Sequence, residues 1–255
     1  MTPDTAAAVL VTLFGLAVGS FLNVCIHRLP RHESLVWPSS RCPGCGTALK
    51  WYDNVPVLSY LWLRGRCRAC GGSISPMYPL VEIATALAFL GTFLLFSGPA
   101  LVSRLVFACA MLVLLVVDLR HRVLPNEITL PGIVAGFLFS LVSPPGWRDS
   151  LVGIIAGGGV LLVIAEAYFR VRGEEGLGMG DVKMLAMIGA FLGWRLMLVT
   201  LVLSSLWGSV IGLGLIALGK GDMKYALPFG TFLAIGAVVA SVSGEALLGW
   251  YLSFY

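Results

Sequence analysis

Six side chains carry the chemistry that this sequence can do: four cysteines in two tight pairs, and two aspartates at the edges of apolar runs. The strings Arg41-Cys-Pro-Gly-Cys45-Gly46 and Arg66-Cys-Arg-Ala-Cys70-Gly-Gly72 are two Cys-x-x-Cys knuckles separated by 21 residues. Each knuckle puts two thiolates on one turn, with Gly44, Gly46, Gly71 and Gly72 easing the backbone. The two turns together, through Cys42, Cys45, Cys67 and Cys70, offer a tetrahedral four-sulfur site for Zn2+, at a spacing one residue beyond the usual range. Four protein ligands leave no open position for a substrate water, so zinc held there is structural and folds a segment too small to build a core. Disulfides are the competing use of the same cysteines.

Asp118 and Asp181 are the second constellation. Carboxylates in or at the edge of a membrane-spanning segment are costly to keep and point to function. Two that share a water can hydrolyse a peptide bond without metal, because their mutual repulsion leaves one protonated as acid while the other activates the water. Gly178 and Gly180, just before Asp181, would let a substrate backbone approach and the loop move. Lys183, two residues on, is placed to hold a carboxylate or a headgroup. Read singly, Asp118 is a helix-end carboxylate near Arg120 and Arg122, and Asp181 an N-terminal cap. The Gly-x-Gly-Asp string is no nucleotide cradle, since no strand precedes it and no Gly-Lys-Ser or Gly-Lys-Thr follows.

The elements that position these residues follow from composition. The 255 residues are 58% hydrophobic and 12% charged, with a mean hydropathy of +0.92. Disorder and a soluble core are excluded, and an all-α polytopic membrane protein is implied. Apolar windows bounded by charge, Pro or Gly fall at 6–26, 79–97, 100–117, 128–142, 151–169, 182–194, 196–218 and 226–252, predicting about eight transmembrane helices. The first lacks a basic leader region and a cleavage site, and reads as an anchor rather than a signal peptide. The only sizeable polar stretch follows it and holds the four paired cysteines. The chain therefore divides into a first helix (1–27), a small extramembrane zinc domain (28–78) and a seven-helix core (79–255). Gly157, Gly158 and Gly159, in mid-window, suggest close helix packing.

The net charge of +4 is read through topology rather than as a nucleic-acid footprint, and no nucleic-acid partner is expected. With the 28–78 domain inside, every Lys and Arg except Arg104, Arg148 and Arg195 falls on the cytoplasmic side, as the positive-inside rule requires. Both termini then face outward, which eight spans satisfy. The cysteines lie in reducing cytosol, which favours zinc over disulfides. Asp118 and Asp181 come to the cytoplasmic ends of their helices, at one depth. Cys25, Cys109, Glu82, Glu166 and the tryptophans read first as packing or interface residues.

Taken together, the strings resemble the bacterial type IV prepilin leader peptidases that are also N-methyltransferases. The resemblance rests on Gly19-Ser-Phe-Leu-Asn-Val-Cys-Ile-His-Arg-Leu-Pro30, both knuckles, Trp51-Tyr-Asp-Asn-Val-Pro-Val-Leu-Ser-Tyr60 and Tyr78-Pro-Leu-Val-Glu82. It continues through Asp118 with Leu124-Pro125, Thr129-Leu-Pro131, Gly178-Met-Gly-Asp-Val-Lys183 and Pro228-Phe-Gly230. It implies an eight-helix aspartic protease of the bacterial inner membrane that cuts the basic leader from type IV prepilins and type II secretion pseudopilins. Its catalytic aspartates map onto Asp118 and Asp181. It also implies methylation of the new N terminus from S-adenosylmethionine, with Gly65 at a position associated with that activity. Many members carry an Asp two residues after the first catalytic one and another after Leu-Pro, where this chain has Arg120 and Asn126.

Two rivals fit less well. Presenilin-like proteases share Gly-x-Gly-Asp but place Pro-Ala-Leu after the second aspartate, whereas Pro99-Ala100-Leu101 precedes both here. A transporter or channel with a zinc domain needs polar groups at the bilayer midplane, and Glu82 and Glu166 are too few.

Overall fold

The computed structural model describes residues 5–173, 178–218 and 227–254, the side chain of Arg172 excepted. Lys220 and Lys224, two of the basic residues assigned to the cytoplasmic side, lie outside the described residues. Within them the regular structure is helical apart from two isolated bridges. This is what lipid demands, because a helix satisfies its own N–H and C=O groups where water cannot. Among the described residues, six helices are long and apolar enough to cross a membrane. The chain forms two compact units, residues 1–101 and 102–255.

In the first unit, α1 (Thr5–Arg28) packs on α3 (Met77–Leu95) through two glycines one turn apart. A Cβ on Gly15 would lie 2.9 Å from Ala86 Cα, and one on Gly19 would lie 2.7 Å from Glu82 Cα. Small residues let backbones approach where apolar solvent offers no drive to associate. The Asn23 amide donates to the Tyr78 carbonyl (3.0 Å) and fixes the register. Arg28, buried at the end of α1, donates to the carbonyls of Ser34 and Pro38 and so holds the first bend of the polar segment. That segment contains the two knuckles, a single turn at Trp51–Asn54 and the short helix α2 (Leu58–Trp62).

The second unit comprises α4 (Gly98–His121, whose first turn precedes the boundary), α5 (Asn126–Ser140), α6 (Trp147–Arg172), α7 (Met179–Ala217) and α8 (Phe229–Leu252). Its core is built around α7, where Met184, Leu185, Met187, Ile188, Phe191 and Met197 are all buried. Phe107 of α4 meets Phe191 at 5.2 Å between ring centroids. α6 touches α7 backbone to backbone. A Cβ on Gly189 would strike the Gly153 carbonyl, and one on Gly157 would lie 2.7 Å from the Leu185 carbonyl oxygen. The close packing expected of the 157–159 run thus falls on Gly157, with nothing within 4 Å of a Cβ on Gly159.

The sixth and seventh apolar windows run on as one 39-residue helix, broken only at Gly193 (φ 77°, ψ 170°). The break is a reversal. Leu124 lies within 3.0 Å of where a Cβ would stand on either Gly180 or Gly230, and Ser204 donates to the Phe232 carbonyl at 3.0 Å. Residues 181 and 204 therefore sit near one level, where an unbroken helix would separate them by about 35 Å. The two arms of α7 stand as separate elements. The first arm, like the 15-residue α5, is short for a span, and with α5 the two arms complete the eight windows. The first arm begins at Met179 rather than at 182, which puts Asp181 in its first turn.

Gly193 occupies a backbone region that only glycine enters readily, and a Cβ there would also meet Pro145 Cβ at 2.8 Å. Gly193→Ala is expected to destabilise the second unit by about 2 kcal/mol or more, read as a lowered melting temperature in detergent. Gly214→Ala, where a Cβ meets nothing within 4 Å, is the control and should leave that temperature within error.

Candidate active site and metal centre

Asp118 lies one turn from the end of α4 and is 5% exposed. A carboxylate this buried is retained only if donors are brought to it, and the start of α8 brings them. The Thr231 backbone N–H donates to Asp118 Oδ2 at 2.6 Å, and the Thr231 hydroxyl donates to the same oxygen at 3.0 Å. An amide in the first turn of a helix lacks the i−4 carbonyl of the helix interior; the Thr231 N–H has only the Pro228 carbonyl at 3.2 Å besides Asp118, and the carboxylate is the nearer partner. Gly230 makes the approach possible, since a Cβ there would stand 3.0 Å from Asp118 Oδ2.

Asp181 occupies the first turn of α7 and is half-buried. Leu124 packs beside both Gly180 and Gly230, and Gly230 abuts Asp118 Oδ2, so the turn that carries Asp181 and the turn that holds Asp118 flank one leucine. The cap of α7 is Gly178, and the Asp181 carboxylate, three residues on, is hydrogen-bonded to the Gly178 backbone, so Asp181 also closes the start of its own helix as a capping residue does. Leu124, from the α4–α5 connection, fills the space beside both Gly180 and Gly230 and spaces the starts of α7 and α8. Gly180 is thus a packing position rather than an opening for substrate. Gly178 does leave a face free: the atom nearest to where a Cβ would stand is Asp181 Oδ2, at 3.6 Å. Lys183 Nζ donates to Asn126 Oδ1 at 2.9 Å, so it ties α7 to the start of α5.

Thr231, Gly230 and Leu124 are the site residues that reasoning on single residues missed. The only available signal was that Leu124-Pro125 and Pro228-Phe-Gly230 recur among the strings carrying the resemblance. Glu166 pairs with Arg170 at 2.7 Å on an exposed face, one turn away.

The two knuckles are copies of one turn. Gly46 N–H donates to the Cys42 carbonyl and Gly71 N–H to the Cys67 carbonyl, each at 2.9 Å, and both glycines have φ near 70°. Bridges Arg41 to Ala48 and Arg66 to Ser73 close the two loops. The Sγ atoms of Cys42, Cys45, Cys67 and Cys70 all lie within 4.8 Å of one another, with Cys42 and Cys70 4.0 Å apart. A tetrahedron of metal–sulfur bonds near 2.3 Å sets sulfurs about 3.8 Å apart, so the four fit one ion. None of the six cysteines is in a disulfide, and Cys25 and Cys109 stand outside the cluster. Hydrogen bonds with the Thr47 hydroxyl and backbone draw the Cys45 thiol down to about 6. Backbone hydrogen bonds from Cys70 and Ala69 lower that of Cys67. Cys45 is thereby disposed to be a thiolate at neutral pH, the form that binds metal, whereas, against a backbone hydrogen bond from Gly72, hydrogen bonds with the Cys45 and Cys67 sulfurs push the Cys70 thiol up to about 11.

Around the second knuckle, Arg68 pairs with Asp53 at 2.8 Å and lies over the Tyr52 ring, which fixes Trp51–Asn54 to that knuckle. Gly65 sits at φ 67° one residue before the loop. Its N–H donates to the Tyr60 carbonyl (2.9 Å), its own carbonyl accepts from Ile74 N–H (2.7 Å), and a Cβ would lie 3.0 Å from the Tyr60 hydroxyl.

Comparison with known proteins gives two family matches. Residues 13–96 match the bacterial peptidase A24 N-terminal domain, and residues 105–213 match the type IV leader peptidase family. A prepilin leader peptidase/N-methyltransferase of Aeromonas salmonicida is 38% identical, with 96% of this chain and 93% of that protein covered. Those of Pectobacterium carotovorum and Myxococcus xanthus are 40% and 44% identical, covering 90% and 85% of this chain and 91% and 66% of theirs. No solved structure matches.

The geometry of the knuckles predicts one metal ion per chain. Protein purified without chelator should carry about one equivalent by elemental analysis, falling below about half in Cys42→Ser. Thiolates must stay deprotonated to bind, so the metal should be released as pH falls.

Proposed function

The chain belongs to the prepilin leader peptidase/N-methyltransferase family, and on that premise we propose that Asp118 and Asp181 are the catalytic pair of a membrane-embedded aspartic endopeptidase. Its substrates are type IV prepilins and type II secretion pseudopilins with basic leaders. The observation that carries this reading is a buried carboxylate held by the first turn of α8, with the first turn of α7, which bears a second carboxylate, packed on the same leucine. Thr231 engages only Oδ2 of Asp118, which leaves Oδ1 to face a water. Asp181 is the more accessible of the two and lies beside the open face at Gly178. The pair shares one proton. The unprotonated member takes a proton from the water as its oxygen attacks the scissile carbonyl, and the protonated member supplies a proton as the C–N bond breaks and the new amine leaves.

The same reading places the protein in the bacterial inner membrane as a multi-pass enzyme, with residues 28–78 and both aspartates on the cytoplasmic side. The supporting observation is the concentration of Lys and Arg on that side. The four-cysteine centre is assigned to structural Zn2+. Its four thiolate donors and closed geometry suit that ion, and no coordination position is left for catalysis. S-adenosylmethionine supplies the methyl group for the second reaction, in which the new N-terminal nitrogen takes the methyl and loses a proton. The described residues contain no strand and so no strand–loop–helix cradle of the Rossmann kind, and no residue is assigned to the donor.

Asp118→Asn and Asp181→Asn should each abolish prepilin cleavage in membranes while the protein still inserts and retains its metal. Normal turnover by either folded variant would overturn the paired-aspartate mechanism.

Methylation is assigned to the zinc module, with Gly65 as its marker. Gly65→Ala, strained by both its φ and Tyr60, should yield a leaderless product that lacks the added methyl group by mass spectrometry. Equal loss of both reactions in a variant that keeps its metal would instead assign Gly65 to general substrate binding.

A further inference from the structure

Val57 is the only β-branched residue among the described residues with positive φ (60°, ψ −50°). Leu58 N–H donates to the Pro56 carbonyl at 2.6 Å, which closes a three-residue turn around Val57. A γ-turn of this hand is rare and strained, and more so at a branched side chain. It is held from outside, because Val57 N–H donates to Glu82 Oε2 at 2.8 Å. Glu82 is buried and also hydrogen-bonded to the Ser20 side chain of α1.

Glu82 stands five residues into α3, about 7 Å along the helix axis. The 19 residues of α3 extend about 28 Å, close to the thickness of the hydrocarbon core, so α3 has no length to spare outside it. α1 reports the same depth: Gly19, packed on Glu82, precedes Arg28 at the end of α1 by nine residues, about 13 Å. A main-chain group of the polar segment is therefore tied to a carboxylate below the membrane surface.

Helix α2 begins at the next residue. Leu58, Leu61 and Trp62 share one face by their spacing and are 65%, 64% and 83% exposed, while Ser59 and Tyr60 are half-buried and Arg64 and Arg66 follow in exposed positions. We propose that α2 is an interfacial anchor: its Leu58, Leu61 and Trp62 face lies in the boundary between lipid headgroups and acyl chains, with Arg64 and Arg66 among the phosphates. The tether to Glu82 fixes the depth. The residue types suit that depth, since Leu and Trp favour the boundary and Arg reaches the headgroups. Residues 55–62 then dip into the membrane rather than belonging wholly to an extramembrane domain, and the second knuckle starts five residues beyond Trp62. This goes beyond the proposed activities and does not depend on them.

The test uses the full-length protein in nanodiscs of phosphatidylcholine and phosphatidylglycerol, with or without bromine at carbons 6 and 7 of the acyl chains. Tryptophan emission of the wild type minus that of Trp62→Phe isolates the Trp62 component, and Trp62→Tyr provides a second difference should the first variant fold poorly. That component should fall at least about twofold in the brominated bilayer and be insensitive to aqueous iodide. Quenching by iodide alone would put the face in water, and protection from both quenchers would mean that protein, such as a second copy of the chain, covers it. Either result overturns the proposal.

Discussion

A carboxylate inside an apolar helix bundle persists only where the fold brings hydrogen-bond donors to it, and the bond from Thr231 N–H to Asp118 is the contact on which the second unit is organised. The donating amide belongs to the first turn of α8, so α8 begins at the level of Asp118. Its approach requires glycine at position 230. The same limit on approach recurs at Gly180, where Leu124 takes up the space. One leucine thus sets the separation of two helix starts, and with it the placement of both aspartates.

The elements were legible in the sequence because apolar windows of spanning length are a one-dimensional signal. All eight windows fall on helices or helix arms, including the pair that the backbone joins across Gly193. The cysteine centre was legible for a related reason, since each knuckle is a local turn and four thiolates have few other common uses. The pairing of Asp118 and Asp181 was an expectation from the orientation that the basic residues imply and the common depth it gives. Depth is a single coordinate, however, and does not identify lateral neighbours. Thr231 is 113 residues from Asp118, and no periodicity or composition links them. The packing of Gly180 was hidden for the same reason: a glycine beside an aspartate reads as access, and only the fold shows Leu124 in the adjoining space. Lys183 looks free for a substrate carboxylate until Asn126 is seen accepting from it.

The two chemical centres use backbone in opposite ways. At the knuckles, short-range hydrogen bonds and left-handed glycines set the sulfurs within a few residues, so the geometry is local and the ion completes it. At Asp118 the donors are not local. Each carboxylate comes from a different helix, and a third and fourth segment supply the donors and the spacer. Loosening a helix contact far from the aspartates therefore alters their geometry while leaving the sulfur cluster as it is.

The reversal at Gly193 joins packing to chemistry. Backbone contact between Gly153 and Gly189 locks the first arm of α7 against α6, and Ser150 donates to the Ala190 carbonyl at 2.8 Å just before the break. The second arm is registered on α8 by Ser204, whose hydroxyl reaches the Phe232 carbonyl. The start of α7 and the start of α8 are thereby brought to the same end of the bundle. Were the arms collinear, only one helix start could lie there. Two starts turn first-turn amides and the positive ends of two helix dipoles toward the carboxylates, and the donors that hold Asp118 are one such amide and the hydroxyl of the same residue.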